Sequence, residues 1–200
     1  MTRDFRPAPS PRDLPCRSYS PSGFLTLALC CLLLGLYQVA LREHPGVVAA
    51  GFLYGGLAQA ITGIHEWRRG NAFGAAAFTA CGLFWLSLLP VMVLPEAGVG
   101  LPYQPFAAIP YLTLWCLFTA LLGHGAGQDQ RLTGLIFGAL ALLLGLAAAA
   151  LIWESAAIRQ VACLVGIGGA LLAAYQGLML LSLRIARGRR LAEATMSKPS

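Results

Sequence analysis

The sequence predicts an all-α integral membrane protein with six transmembrane helices in a compact bundle. Of its 200 residues, 58% are hydrophobic and only 11% are charged, and the mean hydropathy is +0.69. A soluble domain carries roughly 25% charged residues, so this chain has too little polar surface to cover a soluble globule. A bilayer-spanning helix needs about 20 mostly apolar residues, and six stretches qualify. Because lipid cannot bond to backbone groups, we expect these stretches to be helices.

The order of residues along the chain justifies each element. Residues 1–22 are rich in proline, arginine and serine, which prevents a helix and offers no core, so we expect a disordered cytoplasmic arm. Residues 23–183 form the predicted membrane domain, and residues 184–200 form a basic cytoplasmic tail. The predicted spans are 23–41, 46–64, 72–94, 105–123, 132–152 and 160–183.

The distribution of positive charge predicts the orientation, because arginine and lysine concentrate in cytoplasmic loops. With both termini in the cytoplasm, twelve of the 14 lysines and arginines lie on the cytoplasmic side of the membrane. Only Arg42 and Arg159 lie on the outer side. We therefore expect a multi-pass protein of the cytoplasmic (inner) membrane with both ends inside. The net charge of +6 lies at the termini and in short loops, so the lipid surface is the expected acidic partner and nucleic acid is not.

The predicted spans contain no Asp, Glu, Lys, Arg or His. Such residues at membrane depth mark proton relays and ion-coupled transport, and membrane enzymes need an acid, a base or a metal ligand there. The pattern argues against a pump with a buried carboxylate relay and against an enzyme. The six cysteines are scattered without a metal-type spacing, so we expect small buried side chains, no metal and no cofactor.

Small residues recur at helical spacing in two spans, as Gly51-x-x-x-Gly55 and Gly134-x-x-x-Gly138. This spacing lets two helix backbones approach closely, either within one bundle or between the copies of an oligomer. Prolines inside the third and fourth spans indicate either structural punctuation or a broken helix beside a substrate path.

The junction between the second and third spans reads HEWRRGN. Glu66 is expected to pair with a neighbouring arginine, and Asn71 is well placed to cap the third helix. The junction is either a purely structural turn or a vestibule whose positive charge gathers anions.

The same region carries a family resemblance. The segment from Tyr54 to Ser87, YGGLAQAITGIHEWRRGNAFGAAAFTACGLFWLS, resembles without a gap the signature of the acetate uptake transporter family, the succinate–acetate permeases. The residues that match this signature are Tyr54, Gly55, Gly56, Ala58, Gln59, Gly63, Glu66, Arg68, Arg69, Gly70, Asn71, Phe73, Gly74, Ala77, Phe78, Gly82, Phe84 and Trp85.

The resemblance implies a six-helix protomer, assembled as a hexamer in bacterial members, that passes acetate and related small carboxylates, often coupled to protons. It also implies a narrow path through each protomer, closed near its middle by Leu27, Cys81 and Leu140. The family usually has an aromatic residue in place of Leu27 and a tyrosine in place of Cys81, so the constriction here is expected either to be wider or to gate differently. The family's Asn-Pro-x-Pro-x-Gly motif before the first span is reduced to Pro21 and Gly23, without its asparagine.

A carboxylate that enters a low-dielectric core needs donors to replace its water, and the polar residues of this region supply them. We expect the substrate path to be lined by Tyr54, Gln59, Glu66, Asn71, Thr79 and Ser87. The expected function is transport of small monocarboxylates by a channel-like or weakly proton-coupled path.

Two other functions are left open by the sequence. The first is a membrane scaffold or sensor that retains the fold without transport, as the altered constriction and the reduced motif suggest. The second is a membrane enzyme, which requires His65, Glu66 and His124 to converge in one cleft.

Overall fold

The computed structural model describes residues 19–100, 102, 104–126 and 130–196, and these residues form six main helices. Each predicted span corresponds to one helix. We number them α1 to α6 in chain order: α1 is Pro21–Tyr37, α2 is Pro45–Arg68, α3 is Ala72–Leu88, α4 is Pro105–Gly125, α5 is Arg131–Trp153 and α6 is Ala156–Met196.

Five of these helices are long and apolar enough to cross a membrane, and α1, with 17 residues, is a shorter apolar helix. At the rise of an α-helix, 17 residues extend about 25 Å, which is close to the thickness of the hydrocarbon layer. Helix α1 packs against both α2 and α6. The fold is that of a multi-pass membrane protein.

The prolines act as local punctuation. Pro105 is the first residue of α4, and Pro110 lies inside that helix. Pro90 lies in a π-helical turn, Leu89–Val93, that directly follows α3. One further helical turn, Leu94–Glu96, follows it. Proline has no backbone N–H to donate, and the wider π turn shifts the hydrogen-bond pattern so that the helix tolerates this missing donor. The chain therefore stays helical past Pro90 instead of breaking there.

The six helices form a closed ring in which each helix contacts the next. Helix α1 packs on α2, α2 on α3, α4 on α5, α5 on α6, and α6 returns to α1. Helices α3 and α4 meet through aromatic rings, with Phe84 5.0 Å from Trp115 and 6.0 Å from Tyr111 between centroids. The centre of this ring is the interior of the protein.

Neighbouring helices run antiparallel. Early residues of one helix face late residues of the next, as Ser22 faces Thr62 across α1 and α2 and Thr133 faces Gln176 across α5 and α6. Alternate helices α1, α3 and α5 therefore all run in the same direction. We call the end at which these three begin the near end, and the opposite end the far end.

The two ends of the chain differ from the sequence prediction. Residues 1–18 of the predicted arm lie outside the described residues. Tyr19 and Ser20 are only 2% and 3% exposed, and α1 begins at Pro21, so the last four residues of that arm are part of the folded bundle. Residues 184–196 of the predicted tail continue α6 as a helix.

The glycine spacings serve packing within one chain. Gly51 lies against Leu33 of α1, and Gly55 lies against Cys30 of the same helix. Gly134 of α5 faces the backbone of Gly123 on α4. These contacts support the packing interpretation and use the small residues inside the bundle.

Helices α1 and α6 approach most closely at Gly35 and Gly166, where an added Cβ on Gly166 would lie 2.7 Å from the Gly35 Cα. We expect Gly166→Ala to lower the free energy of unfolding in detergent micelles by about 1–3 kcal/mol, because the two backbones must separate. Gly168 is the matched control, since nothing lies within 4 Å of its added Cβ. Gly168→Ala should be neutral or slightly stabilising. Equal effects of the two substitutions would contradict the close approach.

Candidate functional site

Side chains of the alternate helices meet at the centre of the ring, and they do so in layers. Leu27 of α1, Cys81 of α3 and Leu140 of α5 belong to one buried cluster and are at most 1% exposed. We call these three residues the apolar layer. They are the residues predicted to form the constriction. Leu27 and Cys81 each follow by three residues a member of the Phe24–Phe78 ring contact, so these two lie at a similar level of the interior.

A second layer lies one turn nearer the near end. Phe24, Phe78 and Phe137 each precede a member of the apolar layer by three residues, and each is at most 1% exposed. The centroids of Phe24 and Phe78 are 5.4 Å apart. We call these three residues the aromatic layer. A Cβ on Gly23 would lie 2.6 Å from the Phe78 ring, which explains why a glycine stands at this position.

Tyr19 and Phe73 cover the aromatic layer at the near end. The Tyr19 ring meets the rings of Phe24 and Phe78 edge-on, at 5.6 Å and 6.2 Å between centroids. Phe73 lies 6.2 Å from Tyr19 and 6.4 Å from Phe137. These rings come from the start of α1, from α3 and from α5, so they close the near end of the interior.

Glu66 holds the segment that carries Tyr19. Its side chain is fully buried, and Oε1 accepts hydrogen bonds from the Ser20 backbone N–H at 2.9 Å and from the Ser20 hydroxyl at 2.6 Å. The same oxygen pairs with the Arg69 guanidinium at 2.9 Å. The Asn71 amide donates to Oε2. Buried carboxylates need such partners to offset lost hydration, and Glu66 has four donor groups.

The turn between α2 and α3 is built around this carboxylate. Asn71 also caps α3 by accepting a hydrogen bond from the Gly74 N–H at 3.1 Å, as its position in the sequence predicts. Gly70 adopts a φ of 75°, in the left-handed region that glycine tolerates best, and so lets the chain reverse after α2. Arg184 of α6 donates to the Tyr19 carbonyl at 3.0 Å. Glu66 and Asn71 therefore bind protein groups at the near end.

Gln59 differs from these residues because its amide is largely unused. It is 0% exposed, its Nε2 makes a long contact of 3.5 Å to the Gly23 carbonyl, and its Oε1 has no partner among the residues described. Gly23 directly precedes Phe24, so Gln59 lies at the level of the aromatic layer. Among the predicted path residues it is the one that offers a buried, weakly bonded polar group to the interior.

Ser87 lies at the far-end half of the seam between α3 and α4. Its hydroxyl bonds the Phe84 carbonyl at 3.0 Å and shares a short hydrogen bond with the Tyr111 hydroxyl. Tyr111 also donates to the Phe84 carbonyl at 3.3 Å. These bonds join α3 and α4 beside the aromatic ring contacts.

Two of the predicted path residues, Tyr54 and Thr79, lie away from the centre of the ring. Tyr54 is 65% exposed on the outer face of α2. Thr79 contacts Gly63 and lines an outward groove of about 360 Å³ between α2 and α3. The groove brings together Gly63, Ile64, Trp67, Ala72, Ala75, Ala76 and Thr79. Thr79 lies at the close contact of α2 and α3 that Gly56, Gly63 and Gly82 allow.

The three residues that an enzyme would need do not form one unit. His65 and His124 are exposed, whereas Glu66 is fully buried. Neither histidine hydrogen-bonds Glu66 in the described part of the chain. No group of three or more His, Cys, Asp or Glu side chains in that part is arranged to hold a metal ion.

Several structural residues were missed by reasoning from the sequence. Trp85 is fully buried one turn beyond Cys81, and although it matches the family signature, nothing in the sequence assigned it a role. Tyr19 and Ser20 stand in a proline-rich segment, and no local pattern links them to Glu66. Tyr111 lies in the predicted fourth span, and no sequence pattern links it to Ser87.

Comparisons with known proteins place this geometry in a defined group. Residues 7–186 match the model of the GPR1/FUN34/yaaH family. The chain is 34% identical over 150 residues to the succinate-acetate/proton symporter SatP of Escherichia coli (strain K12), an alignment that covers 74% of this chain and 79% of the relative. It is 37% identical over 119 residues to acetate permease A of Emericella nidulans, covering 52% of this chain and 39% of that protein.

A solved structure, described as the structure of the bacterial acetate channel SatP, has the same fold. Its TM-score is 0.75 at 30% sequence identity, and the alignment covers 86% of this chain and 96% of that chain. The family match covers most of the sequence, and the ring of six helices agrees with the solved fold. This chain belongs to the GPR1/FUN34/yaaH family.

Proposed function

We propose that this protein transports small monocarboxylates such as acetate across the cytoplasmic membrane, through the interior of its own six-helix ring. The relatives are acetate transporters and channels, and this chain shares their fold. The observation that carries the proposal within the structure is Gln59, a fully buried amide beside the aromatic layer whose Nε2 donor makes only one long contact, 3.5 Å to the Gly23 carbonyl. The role is transport and not catalysis.

The path we propose crosses the aromatic layer and then the apolar layer. An anion in such a layer loses most of its hydration, which costs several kcal/mol unless donors replace the water or the acid crosses in its neutral form. The Gln59 amide supplies a donor before the apolar layer. Ser87 lies beyond the apolar layer, toward the far end. Of the six predicted path residues, we therefore keep Gln59 and Ser87 as residues that contact the substrate.

Glu66 and Asn71 serve this path indirectly in our proposal. Their donors and acceptors are engaged with Ser20, Arg69 and Gly74, so they hold Tyr19 over the near end rather than bind the substrate. We propose that both termini lie in the cytoplasm, which makes the near end the cytoplasmic end. The exposed arginines of α6 then face the anionic inner leaflet.

We further propose that the protein works as a homo-oligomer, a hexamer by family resemblance. Light scattering of the purified complex in detergent, corrected for bound detergent, is expected to give six protomers. A monomeric mass with full transport activity would contradict this part of the proposal.

The transport proposal is tested by the flux of radiolabelled acetate into proteoliposomes. Gln59→Leu replaces the amide with a shorter apolar side chain and removes its donor, so we expect flux per molecule to fall about tenfold, the effect of losing one hydrogen bond to a charged group. Stability should change little, since the Gln59 amide makes only one long contact, of 3.5 Å, to a protein atom.

Gln176→Leu is the matched control. That amide bonds the Thr133 hydroxyl at 2.9 Å between α5 and α6, so its loss should affect stability and leave flux per folded molecule unchanged. Flux through Gln59→Leu at the unmodified level would contradict the role of Gln59.

A scaffold or sensor without transport is the second candidate, and one observation favours it. Tyr19, Phe73 and the aromatic layer close the near end of the interior with rings. A panel of acetate, propionate, lactate and succinate decides between the two functions. Absence of flux for all four acids would support the scaffold or sensor.

A further inference from the structure

A buried indole lies directly beyond the apolar layer. Trp85 is 0% exposed, and its ring lies 5.2 Å from Phe52 of α2 and 4.6 Å from Phe84 between centroids. Its Nε1–H has no hydrogen-bond partner among the residues described. An indole N–H is a donor only, and a buried donor without an acceptor is costly to a fold. Such a group in a native interior calls for a functional explanation.

The register of the alternate helices gives the level of Trp85. It follows Cys81 by four residues, just as Cys31 follows Leu27 and Leu144 follows Leu140. All three of these following residues are at most 1% exposed. Trp85 therefore belongs to a third interior layer, one turn from the apolar layer on its far side. Gln59 lies on the opposite, near side.

We propose that the Trp85 indole N–H donates a hydrogen bond to a carboxylate oxygen of the substrate as it passes the far side of the apolar layer. This inference rests on the proposed function and adds a second donor to it. The Gln59 amide and the Trp85 indole, which are two of the four side chains in the described residues with an unpartnered buried polar atom, then flank the layer that contains no polar donor stronger than a thiol. An acid leaving the Gln59 amide meets the indole after about one or two helical turns, or roughly 5–10 Å.

Trp85→Phe keeps an aromatic ring against Phe52 and Phe84 and removes the donor together with part of the ring volume, so its folding is checked before transport is measured. We expect the KM for acetate flux to rise about tenfold while the maximal flux per molecule changes less, because a charge-assisted hydrogen bond to the substrate is lost. Trp153→Phe is the control, since Trp153 is 66% exposed at the end of α5. It should leave both parameters unchanged. An unchanged KM for Trp85→Phe in well-folded protein would overturn the proposal.

A spectroscopic measurement on the full chain tests binding directly. The protein is labelled with 5-fluorotryptophan, and the ¹⁹F resonances are followed during titration with sodium acetate and, separately, sodium chloride. The Trp85 resonance is assigned with Trp85→Phe or, if that variant does not fold, by elimination with W67F, W115F and W153F. We expect the Trp85 signal to shift saturably with acetate and not with chloride.

The outcomes separate the two claims. Acetate flux in the unsubstituted protein with no acetate-dependent shift at Trp85 overturns the inference and leaves the proposed function standing. Absence of flux in the unsubstituted protein overturns the proposed function, and the role of Trp85 falls with it.

Discussion

Replacing Glu66 with alanine is expected to lower the free energy of unfolding by about 3–5 kcal/mol, the usual effect of removing one partner of a buried ion pair. The carboxylate is 0% exposed and accepts from Ser20, just before α1, and from Arg69 and Asn71, in the turn between α2 and α3. Its loss leaves the Ser20 backbone N–H and the Asn71 amide without their acceptor. Denaturant titration in micelles, followed by tryptophan fluorescence, measures the effect.

Glu43→Ala is the matched control, because Glu43 is an exposed glutamate in the connection between α1 and α2. Its effect should stay within about 0.5 kcal/mol, as for most surface substitutions. The loss of unfolding free energy for Glu66→Gln should lie between those of the other two variants. The glutamine amide keeps one oxygen acceptor, but its NH2 group faces one of the donors that the carboxylate accepted from. A loss below about 1 kcal/mol for Glu66→Ala would show that the cluster does not hold the near end together.

Modification of Cys81 by a small neutral thiol reagent is expected to block acetate flux almost completely. Cys81 shares the apolar layer with Leu27 and Leu140, and interiors packed at protein density have no room for an added group. The reagent is methyl methanethiosulfonate, applied to a variant that keeps Cys81 as its sole cysteine. Saturating acetate should slow the modification, because substrate and reagent use the same path.

Cys81→Ser in the same background provides the control, and its flux should not respond to the reagent. Mass spectrometry of the intact protein measures the extent of modification independently of transport. Complete modification of Cys81 with unchanged acetate flux would exclude this layer from the substrate path.

The sequence was sufficient for the six helices, because apolar length and loop charge are properties of short segments. It was less accurate at both ends of the described chain. Tyr19 and Ser20 are folded because Glu66, 46 residues away from Ser20, bonds to that segment. Helix α6 continues past the predicted span to Met196 because arginine, alanine, leucine and glutamate favour a helix outside lipid as well.

The predicted site was only partly recoverable from the sequence. Leu27, Cys81 and Leu140 stand on alternate helices, and the family resemblance alone selected them. Among the polar residues, the sequence could not reveal which face of α2 each would occupy: Gln59 is buried, whereas Tyr54 is 65% exposed. The four donor groups around Glu66 depend on tertiary contacts, which no local pattern encodes.

The matching register of α1, α3 and α5 restricts how the interior can change during evolution. A residue inserted between Phe24 and Leu27 would rotate the leucine by about 100° around its helix and carry it out of its level. Insertions and deletions should therefore be rare in these three segments and common in the connections at 38–44 and 97–104. Diversification of the permeant acid must proceed by exchange of side chains at fixed positions.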